Sequence, residues 1–246
     1  MNEHALANRK ARGSFILDPA GKRFDFATPE AADFDIALIA VALAREGRFS
    51  NFTIQPVSVA SHSINVATLA GDAATDAGEK PEYEEAAYLA GLLHDIEEAY
   101  LRDLSTPLKT LLPDYCALSD RVKKAMIAKL WPPAAPVSFW DPRVQRYVHW
   151  ADSLMCDLER KERVVESAVW PTKTDEELHE THGVWVSEQK DSFGEPFYSV
   201  SFPRGVQRDI QIDVDTEPSL IAARMSAEYW ESYRFASMWH LGGIEP

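Results

Sequence analysis

A run of alanine, leucine and tyrosine opens at Pro81 and leads without a break into Gly91-Leu92-Leu93-His94-Asp95. Proline in a first turn followed by such residues predicts a helix. Two strongly polar side chains then stand side by side where the apolar run stops. Adjacent helical residues point about 100° apart, so His94 and Asp95 converge on one point only near a helix end. That requirement ties the fold to the chemistry, because other elements must bring their own polar side chains to the same end. His62 and Asp152 are placed to do so, each inside a separate helical run with a strongly apolar face.

The surrounding chain supplies those elements. Residues 13–26 read as a small hairpin, two apolar strands around a Pro/Gly turn. Thr28-Pro29 predicts a cap and first turn for an apolar helix over Phe34 to Ala44, closed by Gly47, and residues 48–53 read as a loop. Ser58 predicts the cap of a helix through His62 to about Gly71. A further helix is expected from about Ser119 to Leu130, ending where Pro132-Pro133 forbid its continuation. A long one from about Pro142 to Ala168 carries Asp152 and stops before Pro171. From Gly183 to Asp215 the apolar residues alternate (Val184/Val186, Phe197/Ser199/Ser201, Ile210/Ile212/Val214), which predicts short strands. A final helix from about Pro218 to His240 repeats Ile221, Met225, Tyr229 and Tyr233 every four residues. The expected fold class is therefore mostly α, with minor β elements near the N-terminus and in the C-terminal region. Two units are expected, 1–170 and a C-terminal extension 171–246 packed on the core or across a dimer.

Composition narrows the function. Of 246 residues, 46% are hydrophobic and 26% charged, an ordinary globular balance. No apolar run approaches the ~20 residues of a membrane span, and Met1 to Arg12 lacks the apolar core of a secretory signal. With only Cys116 and Cys156, both read as packed thiols, a disulfide framework is ruled out and the cytoplasm is the expected location. The net charge is −14, and residues 166–246 carry 15 acidic but only 6 basic side chains. Duplex nucleic acid, which demands a basic stripe, is an unsuitable partner. A small anionic substrate is not, since a metal and a few local cations can hold one phosphate.

Two imidazoles and two carboxylates, His62, His94, Asp95 and Asp152, make a donor set suited to a hydrolytic divalent ion. Each has a plainer reading alone: His62 as a capping or core residue, Asp152 as a buried acceptor. His149, His179, His182 and His240 read as surface or structural histidines. A His179-x-x-His182 metal pair is the weaker alternative, in polar, loop-like surroundings.

Four blocks in order carry a family resemblance: Arg48-Phe49 followed by Ser58-Val59-Ala60-Ser61-His62-Ser63, then Leu93-His94-Asp95-x-x-Glu98, then Asp103-Leu104-x-Thr106-Pro107-x-Lys109, then Ala151-Asp152-Ser153-Leu154. Over residues 30–165 the chain resembles the HD-domain phosphohydrolases, helical metalloenzymes named for their His-Asp pair. Within them it is most similar to bacterial 5′-deoxynucleotidases and related bacterial and phage nucleotide hydrolases. The resemblance implies an HD-type helical bundle with His62, His94, Asp95 and Asp152 as ligands of one divalent ion (Co, Mn, Zn, Fe, Ni or Mg). It makes Glu98 and Asp103 the acid/base and water-positioning carboxylates, with Arg48, Phe49 and Lys109 on the substrate. Phe49 stands where the family commonly has tryptophan, and Glu97, one residue out of frame, reads as a solvated helix-end acid.

The expected activity is hydrolysis of a deoxynucleoside monophosphate to nucleoside and phosphate. The alternatives are triphosphohydrolysis of a deoxynucleoside triphosphate, phosphodiester cleavage of a cyclic or oligonucleotide, and a nucleotide sensor without catalysis. The expected partners are a small nucleotide and a second copy of the chain in a homodimer, with no membrane contact. Residues 171–246 have no counterpart in the resemblance, and Trp230 and Trp239 read as packing residues.

Overall fold

The computed structural model describes residues 14–18, 20–163, 172–192, 196–212 and 218–238. Strands β1 (Phe15–Leu17) and β2 (Arg23–Asp25) form the expected antiparallel hairpin, with Ile16 opposite Phe24. Phe24 is its buried anchor and stacks on Tyr100 at 4.1 Å. Helix α1 (Ile36–Leu43) begins later than Thr28-Pro29 suggested. Pro29 instead opens a short 3-10 turn, and the carboxylate of Asp35 accepts from the Ala37 amide at 2.9 Å. An aspartate cap adjoining the apolar run meets an orphan amide directly, which Thr28 is too far away to do.

Helix α2 (Val59–Ala77) starts where expected, the Ser58 hydroxyl accepting from the Ser61 amide at 3.1 Å. It runs past Gly71 and stops at Gly78, whose φ of 74° is the left-handed closure that glycine takes without a Cβ clash. Helix α3 (Pro81–Leu93) follows antiparallel to it, and the two pack more closely than side chains normally allow. A Cβ on Gly91 would lie 2.7 Å from the Ala67 Cα and 2.9 Å from its nitrogen. This approach draws the His62 end of α2 and the His94 end of α3 together. Gly91→Ala is expected to force the helices apart. Overpacking of this kind costs about 1–3 kcal/mol, more than the ~1 kcal/mol that alanine gains over glycine within a helix. Thermal unfolding checks this, and an unchanged or raised Tm would show that the contact gives way freely.

Short helices α4 (Glu98–Leu101) and α5 (Thr106–Lys109) follow the His-Asp pair. Helix α6 (Pro113–Leu130) begins at Pro113, before the expected Ser119, and α7 (Pro142–Arg163) packs on both α2 and α3. The core is one cluster filled from α1, α2, α3, α6 and α7, with Leu69, Leu89, Leu92, Met126 and Leu154 fully buried. Residues beyond Arg163 in the expected long helix, and the boundary at Pro171, lie outside the described residues, as do Val214, Trp239 and His240.

Helix α8 (Asp175–His182) replaces the loop expected around His179 and His182, and a Thr174/Glu177 capping box opens it. His182 is buried on Asp157 at 2.8 Å, a structural role, while His179 stacks on Trp185 at 3.7 Å. Strands β3 (Trp185–Lys190), β4 (Pro196–Ser201) and β5 (Gln207–Ile210) form an antiparallel sheet, pairing Val186 with Val200 and Tyr198 with Ile210. Those four side chains are its buried face. Arg208 holds the sheet to α2 through both oxygens of Asp72. Helix α9 (Pro218–Met238) lays Ile221, Met225 and Tyr229 against α1, α2 and α3, and the Tyr229 hydroxyl donates to the Leu130 carbonyl at 2.8 Å. Its apolar stripe is thus buried on the bundle of its own chain. Trp230 packs edge-on against Tyr229 and Tyr233 and is half exposed. No described helix is long and apolar enough to cross a membrane.

Candidate metal centre

The four side chains meet where α2, α3 and α7 come together. His62, His94 and Asp95 each offer a ligand atom within 4.8 Å of the others. The Asp152 carboxylate joins them, Oδ1 lying 3.1 Å from His62 Nε2 and 3.8 Å from His94 Nε2. His94 caps the C-terminus of α3, and Asp95 begins the turn beyond it. The pair can therefore face one point, as their adjacency required. His62 is fully buried, whereas the Asp152 side chain is 39% exposed and forms the solvent side of the cluster.

The hydrogen bonds behind the two imidazoles show what they are prepared to hold. His94 Nδ1 donates to the Gly91 carbonyl at 2.7 Å, and His62 Nδ1 donates to Glu159 Oε1 at 2.8 Å. An acceptor behind each Nδ1 fixes the proton there and turns the Nε2 lone pair toward the cluster. His94 Nε2 is buried without a hydrogen-bond partner, 3.1 Å from Asp95 Oδ2. Burial opposes a charge on either ring, but Glu159 and Asp152 around His62 and Asp95 beside His94 raise the pKa of both, so that protons hold the carboxylates together until a divalent ion takes their place. The donor set therefore fits a divalent ion on grounds of chemistry and orientation.

The electrostatics agree. Burial opposes the charge of Asp95, but the charge of the protonated His94 ring beside it, helped by Lys123, holds its carboxyl well below the usual carboxylate range. Burial likewise opposes Asp152, yet the His62 hydrogen bond and the His94 charge bring it down to about 2. Both carboxylates stay ionised and available at neutral pH.

Glu159 is the residue that sequence reasoning missed. It is wholly buried on α7, two turns after Asp152, and its second oxygen accepts from Arg48 Nε at 2.7 Å. Burial opposes its charge, but Arg48 and then His62 hold its carboxyl below the ordinary range. The spacing of seven from Asp152, on the same helix face, was the available signal. Arg48 is accordingly a buried partner of Glu159 whose Nη1 reaches to 3.8 Å from Asp95 Oδ2. It enters on a loop in which Phe49, Ser50 and Asn51 all have positive φ, a strained path of the kind held at functional sites. The Phe49 ring lies 5.5 Å from the Arg48 guanidinium carbon.

Past the His-Asp pair, Glu98 is buried with Oε1 on Lys109 Nζ at 3.1 Å and Oε2 without a partner. Burial first, then the charges of Asp95 and Asp103, push its carboxyl up to about 9 against the pull of Lys109. Asp103 is half-buried and raised too, mainly by burial, with Arg48 and Lys109 pulling the other way. The turn before it is strained, Arg102 having φ 73° and pairing with Glu46. Glu97 corrects the expectation of a solvated acid: it is buried, accepting from Ser119 Oγ at 3.2 Å and pairing with Lys123 Nζ at 3.1 Å. Helix α6 passes over it and supplies both partners, which is what lets a carboxylate go inside. The thiols of Cys116 and Cys156 are free and half-buried.

A cleft of about 480 Å³ opens onto His94, Asp95 and Asp152. One wall is α6, with Asp120, Lys123 and Lys124, and the other is α7, with Gln145, Val148 and His149; Phe139 and Trp140 stand at its side. His149, expected to be a surface or structural histidine, is exposed and lines this cleft beside the cluster.

Sequence comparison agrees with this geometry. The HD domain model matches residues 59–125, from the start of α2 into α6. The chain is 30% identical to the uncharacterized protein YfdR of Escherichia coli over 159 residues, 64% of this chain and 78% of that protein. It is 32% identical to an uncharacterized protein of Rhodobacter capsulatus over 149 residues, 58% of this chain and 69% of the relative. With its His-Asp pair seated among the side chains of α2, α3 and α7, the chain belongs to the HD-domain family, a superfamily of metal-dependent phosphohydrolases.

Proposed function

We propose that the chain is a nucleotidase that hydrolyses deoxynucleoside 5′-monophosphates, using His62, His94, Asp95 and Asp152 to hold one divalent ion. The observation that carries the reading is the pairing of two Nδ1-anchored imidazoles with two ionised carboxylates in a cluster whose His94, Asp95 and Asp152 open onto a cleft. A divalent ion bound there supplies Lewis acidity toward the phosphoryl group and lowers the pKa of water.

The protein's own groups serve the rest of the reaction. Glu98, with its carboxyl raised to about 9, carries a proton at neutral pH and is suited to deliver it to the departing ester oxygen. Lys109 holds one of its oxygens, leaving the unpartnered Oε2 for that transfer. Asp103 is suited to orient the attacking water, and Glu159 keeps His62 and Arg48 in register. The unit 1–170 contains every one of these groups, and 171–246 serves as a brace.

Charge in the cleft favours a monophosphate over a triphosphate. Lys123 is neutralised by Glu97, which leaves Lys124 as the lining lysine with no ion pair among the described residues, against the carboxylate of Asp120. A triphosphate chain needs more positive charge than that. The test is product analysis of metal-loaded protein with deoxynucleoside mono- and triphosphates. Orthophosphate from the monophosphate is the expected result. Tripolyphosphate from the triphosphate would assign the other activity, and binding without any release would make the protein a sensor.

A further inference from the structure

The cleft has a feature that metal-centred hydrolysis does not require. Trp140 is 47% exposed, yet the backbone that carries it is pinned. Its amide donates to Ser138 Oγ at 3.1 Å, the Asp141 amide donates to the Ser138 carbonyl at 3.0 Å, and Gln145 Nε2 donates to the Phe139 carbonyl at 2.6 Å. Phe139, buried between Trp131 and Trp140, meets the Trp140 ring edge-on at 4.6 Å. A single exposed aromatic is ordinary on a protein surface. One held rigid at the side of a cleft whose floor is the candidate metal centre offers a π-face at little entropic penalty.

The walls match. Asp120, Lys123 and Lys124 stand at i, i+3 and i+4 of α6, so one helical face looks into the cleft. Gln145 and His149, four apart on α7, face it from the other side, and Asp152 continues that row to the floor. Polar groups that donate and accept thus flank an aromatic plate, with the phosphate-competent end below. Phe49, by contrast, packs on Arg48 and is absent from the lining.

Building on the nucleotidase reading, we infer that this cleft is the nucleoside subsite, in which the base stacks on Trp140 between α6 and α7 while the phosphate faces His94, Asp95 and Asp152. Stacking on an indole is tolerant of base identity, because every base has a π-face. Discrimination among bases then falls to Asp120, Gln145 and His149, which line the same space.

The test uses full-length, manganese-loaded protein and two probes: deoxyadenosine 5′-monophosphate, and 2-deoxyribose 5-phosphate, which has the same phosphate end and no base. Dissociation constants are measured by equilibrium dialysis for wild type, Trp140→Ala and Trp140→Phe with the non-hydrolysable phosphonate analogue of each probe, and phosphate release is followed in parallel with the phosphate esters themselves. Trp140→Ala should weaken the nucleotide by at least about fivefold, the lower end of base–aromatic stacking. It should leave the sugar phosphate unchanged, and Trp140→Phe should stay close to wild type. Unchanged nucleotide affinity in Trp140→Ala overturns the subsite, and so does an equal loss for both probes or an absence of nucleotide binding by wild type. Tryptophan-dependent binding without phosphate release would instead overturn the nucleotidase reading and leave the subsite standing.

Discussion

Replacing His94 with alanine is expected to abolish turnover while leaving the helices in place. His94 sits at the end of α3, with its ring against the Gly91 carbonyl and Nε2 turned to Asp95 and Asp152. Removing the imidazole deletes one of four donors and leaves two carboxylates and one imidazole to compete with water for the ion. Lewis-acid stabilisation of a phosphoryl transition state is worth several kcal/mol. At ~1.4 kcal/mol per factor of ten, phosphate release should fall on the order of 10³-fold or more. Asp95→Ala should do the same. Steady-state kinetics with circular dichroism as the control for folding checks both, and turnover within tenfold of wild type in either variant would remove these residues from the reaction.

The second large effect belongs to Glu98. Glu98→Gln keeps the shape and the contact near Lys109 but carries no transferable proton, so turnover should drop by ~10²-fold or more. Metal content and nucleotide affinity should stay close to wild type, because Glu98 faces Lys109 and contributes nothing to the cluster of ligand atoms. Stability gives an independent readout. A carboxyl raised from 4.5 to about 9 binds its proton more tightly folded than unfolded, so in metal-stripped protein its contribution grows less favourable as pH rises through that window. The neutral glutamine escapes this, and the stripped variant should melt at or above the wild-type temperature at pH 8. Full turnover in Glu98→Gln, with Glu97→Gln inactive, would shift the acid by one residue.

Those expectations rest on side chains whose placement could largely be read from the chain. Pro81, Pro142 and Ser58 mark helix starts because a fixed φ or a hydroxyl acceptor acts locally, and the hairpin of residues 15–25 follows from its turn. The convergence of His62, His94 and Asp152 was legible because a helix end was the place where His94 and Asp95 could act together. What stayed hidden depends on contacts between distant segments. Gly71 looks like a helix end, yet it lies inside α2 against Tyr88, and the real stop is Gly78. Glu97 looks solvated until α6 brings Ser119 and Lys123 over it. Glu159 and Trp140 gain meaning from partners on other elements, Arg48 and His62 for the first and the two-helix cleft for the second.

The clamp formed by Glu159 also explains why Arg48 and His62, far apart from it in sequence, hold their positions in the folded chain. A buried ion pair of this kind is weak evidence for stability in itself, but losing one partner strands the others. Its benefit is orientation, since the carboxylate behind His62 fixes which nitrogen faces the cluster.

The measurement that bears most directly on this account is the metal content of the purified chain, by elemental analysis after exposure to manganese, cobalt or zinc and removal of free ion. Wild type should retain one divalent ion per chain, and His94→Ala and Asp95→Ala, folded by circular dichroism, should retain almost none. Full metal content in both variants, or none in wild type with any of the three ions, would contradict it.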